Sequence, residues 1–543
     1  MNVRELLHEC ENKGIKLGVK NGNLLLSDER GLLTDVLKDS LKKHKTEILL
    51  WLQSEDASNI PKLASQDAYP LSFSQQRLWF IDQLGGSKEY SAPMAFRVSG
   101  QLDIGAVHHA LNGIVERHEV LRTVLFQGDD GEPLQCVRPF SPMRLHVIDL
   151  SRELVPRRDV LIAEQIAVEA SLPFDLGADT MLRCRLLRIS DEEHVVLFTI
   201  HHIAADGWSM GILINEFVAL YTARVQGTEV MLPALPIQYA DYAVWQRASM
   251  DNGLIAAELG YWQETLAGIP VLHRLPLDRP RPARQSFEAN AHRSRVEAVE
   301  MESLQRFGKS RGATLFMVLQ AAFAAVLARF SGDSDVVMAV PHAGRGQQEL
   351  GPLIGLFVNT LVFRSIIENE MSIEAMVEQS RRTALDAYTL SHVPFDLLCD
   401  ALRHERSMAY NPVCQVKFVL QNFQKGELTL PGLSFSALPQ QGGAVHFDLD
   451  LTAIETEDGG LQLNWTYKEE LFEASSIARM AMAYTRLLSL MTVAPESRLC
   501  DLSWLTVEDA TQLRALGTGP VDSRHRDRML PVQMATQAQR TPE

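Results

Sequence analysis

Apolar positions at the start of the chain change period twice within residues 1–53. Leu6, Leu7 and their neighbours repeat as on one face of a helix, which Gly14 ends. The runs IKLGVK and NLLLSD then flank Asn21-Gly22, and Asn-Gly between strand-like runs is the strongest short signal for a two-residue hairpin turn. A helical period resumes from Leu32 through Leu37, Leu41, Ile48 and Trp51. Residues 1–53 thus predict a small α/β-hairpin unit with little core of its own. Residues 54–68, SEDASNIPKLASQDA, are polar and broken by proline, the pattern of a linker. From Tyr69 onward helical stretches alternate with strand-like runs such as VVLFTIHHI and DVVMAVPHAG, which predicts mixed α/β (α+β) layers rather than a helical bundle or a β-sandwich. The shift from LIAAELGYWQETL to LPLDRPRPARQ divides this region into two halves, 69–250 and 251–510, and residues 511–543 leave the compact pattern again.

Composition and charge narrow the function. A chain of 543 residues is too long for one hydrophobic core. A net charge of −16 argues against nucleic acid as a partner, because phosphate neutralisation needs a dense Lys/Arg surface. Residues 1–53 depart from this balance, with nine Lys/Arg against eight Asp/Glu where the rest of the chain has 43 against 60. Lys16 and Lys20 fall on one face of the first hairpin strand. Two readings stay open for them: lysines that keep an edge strand solvated, or a β-edge that receives an acidic peptide by strand addition. Six cysteines, Cys10, Cys136, Cys184, Cys399, Cys414 and Cys500, are scattered without a C-x-x-C pair or a Cys/His cluster, so reduced thiols and no metal site are expected. MNVRELLHECENKG lacks the apolar core of a signal peptide, and no run approaches membrane-spanning length, so no membrane association and a cytoplasmic location are expected.

The chemistry concentrates in Phe198-Thr199-Ile200-His201-His202-Ile203-Ala204-Ala205-Asp206-Gly207-Trp208-Ser209. An apolar strand delivers two adjacent histidines, whose side chains point to opposite faces if both lie on the strand. One then faces a cleft and the other packs inside. Imidazole is the side chain that exchanges protons near neutral pH without perturbation. Asp206 either orients His202 or pairs with an arginine and fixes the loop; the second role is expected. A metal site is disfavoured because diverging histidines have no third ligand nearby, and a serine hydrolase because no G-x-S-x-G elbow is present.

HHIAADGWS resembles the active-site motif of nonribosomal peptide synthetase condensation domains, a superfamily that shares its fold with chloramphenicol acetyltransferase. LSFSQQRLWFIDQL at 71–84, RHEVLRTVLF at 117–126, YADYAVWQR at 239–247 and IGLFVNTLVFR at 354–364 resemble further signatures of that family, in its order. SHVPFD at 391–396 and RSMAYNPVCQV at 406–416 are less faithful, the latter keeping Arg406, Asn411 and Pro412 but lacking the usual acidic residue and second arginine. The resemblance implies two chloramphenicol acetyltransferase-like lobes in a V-shaped pseudo-dimer. It implies an active site between them, where two carrier proteins each insert a 4'-phosphopantetheine arm and no cofactor binds the chain directly. The catalytic group then comprises His202, Asp206 and Gly207. His201, Arg345, Trp208 and Ser209 support it, with Arg345 of VPHAGR paired to Asp206 and Gly207 relieving a tight turn.

Residues 1–53 resemble the N-terminal docking domains that receive the C-terminal tail of an upstream synthetase, with Lys16 and Lys20 as candidate contacts. LPVQMATQAQRTPE resembles the start of an adenylation domain, so the implied partners are an upstream donor carrier with its tail, and a downstream acceptor carrier and adenylation domain. Arg117, His118, Glu119 and Arg122 are expected to form a supporting charged network, and Trp79, Trp208 and Trp245 to serve as core or channel wall. The rival readings are a starter domain with a fatty acyl donor and a non-catalytic recruitment platform of the same fold.

Overall fold

The computed structural model describes residues 60–542 except 86–87, 253, 403–406, 422–429, 439–444, 506 and 519–529. Before residue 60 it describes Leu41 and the strands β1 (Lys16–Lys20) and β2 (Asn23–Ser27). These strands pair antiparallel, with Lys20 opposite Asn23, the register that a two-residue connection requires. Lys16 and Lys20 are the first and last residues of β1. The helices expected around Leu6 and between Leu32 and Trp51, and the Asn21-Gly22 turn itself, lie outside the described residues, apart from Leu41.

Two mixed assemblies follow. The first is built on a five-stranded sheet ordered β14-β4-β9-β8-β7, with β4 Ser91–Ser99, β7 His146–Asp149, β8 Leu182–Arg188, β9 Glu193–His201 and β14 Ser434–Ala437. A three-stranded sheet of β3 (Tyr69–Pro70), β6 (Pro133–Val137) and β5 (Thr123–Gln127) lies beside it. The second assembly has a six-stranded sheet, β10-β16-β15-β13-β11-β12, from Ala289–Val296, Leu461–Lys468, Leu449–Glu455, Val416–Gln421, Asp335–His342 and Asn359–Ile366.

Strand β9 is central to the site. His194 to His201 are all buried, because both faces of the strand are covered. Val195 and Leu197 face one cluster with Ile162 of helix α3 (Val155–Ser171), while Val196, Phe198 and Ile200 face the other with α2 (Ile104–Arg117) and α4 (Gly207–Gln226). The period of two thus survives inside an apolar run. The second core surrounds α8 (Leu315–Ser331), numbered after α5 (Tyr239–Ala248), α6 (Leu254–Thr265) and α7 (Ala298–Ser310). Residues 317–327 of α8 are buried on every side, and the polar Gln320 among them bonds Ser380 and Ser365. No single described helix is long and apolar enough to cross a membrane; the bent pair of α7 and α8 passes by length and composition only, and α8 is a core helix of this fold.

Two expectations are corrected here. The division into 69–250 and 251–510 does not hold as a clean cut, because β14 leaves the second half and pairs with β4 of the first. Leu350, Leu353, Ile354, Leu356 and Phe357 are likewise buried in the first core. The linker 54–68 is irregular in its described part, but not free. Ile60 is buried in the first core and Leu63 donates its N–H to Asp241 Oδ1 at 2.9 Å, since even a short apolar side chain gains by burial there.

The crossing strand leaves no room at its base. Gly100 has φ +115°, and a Cβ there would stand 2.1 Å from the Gly432 carbonyl oxygen. Gly100→Ala is expected to destabilise the fold by at least about 1–3 kcal/mol. Urea unfolding followed by tryptophan fluorescence checks this, and an unchanged midpoint would show that the two backbones are not held together at this point.

Candidate active site

Strand β9 ends at His201, and the chain turns into a short 3₁₀ segment, His202–Ala204. His201 is fully buried; its Nδ1 accepts the Ile203 N–H at 3.1 Å, and its ring meets Phe174 edge-on at 5.5 Å. The expectation that strand alternation separates the two histidines is therefore corrected. His201 caps the turn with its own ring, and the turn, not the pleat, sends His202 elsewhere.

His202 is only part-buried. Its Nδ1 lies 3.2 Å from the Ala205 carbonyl oxygen. A carbonyl only accepts, so Nδ1 carries the ring proton and Nε2 keeps its lone pair. Among the described residues Nε2 makes no hydrogen bond. Burial holds the ring below the ordinary imidazole range and the Lys417 charge adds to this, against the opposing effects of the Ala205 carbonyl and Asp206. The ring is neutral at neutral pH, the state a proton acceptor needs.

Asp206 makes no hydrogen bond to His202. It caps α4, taking the Ser209 N–H at 2.9 Å and the Ser209 hydroxyl at 2.7 Å on Oδ1. Oδ2 takes the Phe357 N–H at 3.0 Å. Arg345 Nη2 donates to Asp206 at 3.1 and 3.4 Å and to Ser209 Oγ at 3.0 Å. Its Nη1 reaches the Leu350 and Leu353 carbonyls at 2.5 and 2.8 Å. Both charged side chains are 3% exposed. Of the two roles open to Asp206, the geometry fits the expected one, a buried carboxylate that pairs with Arg345 and fixes the loop, and not the membership of a catalytic group with His202 that the resemblance implied. Gly207 is corrected too. It is the first residue of α4 and is absent from the described glycines with positive φ, so no strained turn requires it. Trp208 is 44% exposed and donates Nε1–H to the Gly351 carbonyl at 3.3 Å, while Ser209 is fully buried and accepts the Gly355 N–H at 3.1 Å.

The charged network of the RHEVLR segment joins the same support. Glu216 of α4 receives Arg117 Nε and His118 Nε2, each at 2.9 Å, and His118 Nδ1 accepts the Ile354 N–H at 3.3 Å. Arg122 lies 3.5 Å from Glu119. Trp79 is core, and Asn359 bonds the Ser391 and Val393 carbonyls at 3.1 and 2.8 Å.

The second assembly brings residues that no sequence signal singled out. Lys417 of β13 pairs with Asp450 at 2.5 Å. His446 stacks on Tyr90, with ring centroids 4.4 Å apart. Arg77 of α1 (Phe73–Gln83) lies 3.6 Å from Asp396 of α10 (Phe395–Leu402), the helix after α9 (Ile373–Thr389). Among the described residues no group of three or more His, Cys, Asp or Glu side chains is placed to hold a metal ion.

Residues 65–514 match the Condensation domain family, and residues 3–54 match the TubC N-terminal docking domain. The chain is 38% identical over 504 residues to a linear gramicidin synthase protein of Brevibacillus parabrevis, covering 92% of the chain and 6% of that protein. It is 36% identical over 492 residues to the phosphinothricin tripeptide synthetase PhsC of Streptomyces viridochromogenes, covering 89% of the chain and 45% of that protein. The chain thus spans a small part of these relatives. Among solved structures it resembles the X-domain from teicoplanin biosynthesis (TM-score 0.74, 28% identity, 82% of this chain and 100% of that one). In fold it also resembles the first condensation domain of the calcium-dependent antibiotic synthetase (TM-score 0.66, 19% identity, 82% and 100%).

Two measurements check this geometry. Arg345→Ala leaves the Asp206 carboxylate buried without its countercharge and is expected to cost about 3–5 kcal/mol of stability in chemical denaturation; full stability would mean that the pair does not hold the loop. The imidazole of His202, followed by NMR, is expected to titrate below about pH 6.5, and a midpoint above that value would contradict the burial that keeps it neutral.

Proposed function

The chain belongs to the family of nonribosomal peptide synthetase condensation domains, here preceded by a docking domain, and we propose from this premise that His202 handles the proton in its amide-forming acyl transfer. The family's domains are acyltransferases that work with the phosphopantetheine arms of carrier proteins. In this chain the upstream carrier offers an acyl or peptidyl thioester, and the downstream carrier of the same module offers an aminoacyl amine. No cofactor needs to be held by the chain itself, since the arms bring both reactants. The docking domain, through Lys16 and Lys20 on β1, receives the acidic tail of the upstream synthetase by strand addition.

The observation behind the assignment is the half-buried, neutral ring of His202 with its Nε2 lone pair unengaged. An α-amine has a pKa of about 8, so a useful fraction is neutral before it reacts. Attack on the thioester nevertheless leaves a positive nitrogen, and one proton must depart. Nε2 accepts that proton, while Nδ1–H stays on the Ala205 carbonyl and keeps the ring in the productive tautomer. Asp206, Arg345 and Ser209 position the ring through the loop and do not meet the substrate. Two tethered reactants held in line supply a large effective molarity besides.

The X-domain, solved in complex with OxyB, motivates a second reading, in which the fold recruits a tailoring protein without catalysis. His202→Ala separates the two. With a panel of donor-charged and acceptor-charged carriers, the variant is expected to form amide about 10²–10⁴-fold more slowly than the native chain. Equal rates would remove the catalytic assignment, and a native chain without amide product would favour recruitment.

A further inference from the structure

His446 lies on the return from the crossing strand β14 to β15, and its ring is held between the two assemblies. It stacks on Tyr90 at 4.4 Å with an interplanar angle of 20°, and Phe287 meets it edge-on at 5.4 Å. Tyr90 immediately precedes Ser91, which pairs with His201 across β4 and β9. Both segments leave the sheet there, Tyr90 in a 3₁₀ turn before β4 and His202 in one after β9, and His446 lies close enough to His202 to feel its charge.

The segment that bears His446 is fixed from several sides. Val445 N–H bonds the Phe287 carbonyl at 3.0 Å, Asn411 donates to the His446 carbonyl, and Asp448 N–H bonds the Gln415 carbonyl at 2.8 Å. The Asp448 carboxylate, 1% exposed, receives His273 at 3.0 Å, Arg281 at 2.6 Å and Lys468 at 3.2 Å. Between Asn411 and Gln415 the buried Val413 adopts φ +66°, a conformation costly for a β-branched residue and tolerated only where the surroundings impose it.

Within this fixed setting the ring is unfinished. Among the described residues, His446 Nδ1 is buried with no hydrogen-bond partner, and so are Glu89 Oε2 and Ser91 Oγ on either side of Tyr90. A buried polar atom left unpaired costs about 1–3 kcal/mol, so these atoms call for a partner, which an ordered water supplies at rest and a bound group can supply during reaction. Lys417, the other nearby donor, is already paired with Asp450.

We propose that His446 is a second catalytic residue, whose Nδ1–H donates to the thioester carbonyl oxygen as it becomes an oxyanion. The inference rests on the reading of His202 as proton acceptor. The amine nitrogen bonds to the carbonyl carbon, whose π electrons move to the oxygen facing His446. As the tetrahedral species collapses the C–S bond breaks, and the proton taken by His202 passes to the departing thiolate. His446 gives no proton away. Burial, then the charges of Lys417, His202, Arg77 and Lys468, hold its pKa down to about 3, so the ring stays neutral and makes a poor base. Two imidazoles with separated proton affinities are thereby suited to different tasks.

The test uses the donor–acceptor carrier pair that the native chain turns over fastest, in single-turnover and steady-state assays of His446→Phe and His446→Gln beside His202→Ala. Phe keeps the contacts with Tyr90 and Phe287 but has no donor, and is expected to lower kcat about 10²–10³-fold at unchanged KM and Tm. Gln keeps an N–H and is expected to recover to within about tenfold of the native rate. A Phe variant within about threefold of native, a loss carried by KM alone, or a Gln variant as slow as Phe each overturns the inference. If the native chain is active and depends on His202 while His446→Phe is unimpaired, this inference fails and the reading of His202 stands. A native chain without amide product overturns both.

Discussion

A carboxylate removed from water dictates much of this structure. Asp206 is accommodated only because donors converge on it from its own helix, from Arg345 and from the Phe357 backbone. In a low-dielectric interior such a charge is tolerable when fully paired and strongly destabilising when one partner is missing. The loop from His202 to Asp206 therefore has one well-satisfied arrangement, and that arrangement sets the direction of the His202 ring. Ser209 closes the cluster, taking an N–H from Gly355 while bonding Asp206.

The same constraint ties the two halves together. Residues 350–357 contribute apolar side chains to the first core and backbone groups to Asp206, Ser209 and His118. Strand β14 adds a second crossing, paired along β4 from Ser434↔Ser99 to Ala437↔Phe96. Burial of apolar surface supplies most of the favourable free energy of such crossings, while the hydrogen bonds fix their register. The walls of the site are thus parts of an interleaved whole, and the stack of Tyr90 on His446 is one product of it.

Electrostatics then differentiates similar groups. His201, His202 and His446 share one side chain and have three environments. The first is a buried cap on a turn, the second a part-buried ring with a free lone pair, and the third a part-buried ring whose Nδ1 is enclosed without a hydrogen-bond partner among the described residues. Burial disfavours the charged form of the latter two, and nearby lysine and arginine charges deepen the effect at His446. Chemistry at neutral pH follows from position, not from residue type.

Local pattern was enough for the mixed α/β class, for the hairpin at β1 and β2, and for the histidine motif, since hydrophobic period, an Asn-Gly turn and a short string of polar residues after an apolar run are properties of neighbouring positions. The pairing of Arg345 with Asp206 was reachable because motif order placed an arginine in the second half, although its geometry was not. The end of β9 at His201, the helical role of Gly207, the packing of Ile60, the passage of residues 350–357 and β14 into the first assembly, and the gathering of Lys417 and His446 near His202 were decided only in three dimensions. Period and spacing report which face a side chain prefers. Which distant segment covers that face depends on competing burial and on the need of each buried polar atom for a partner, and both are settled only when the whole chain has folded.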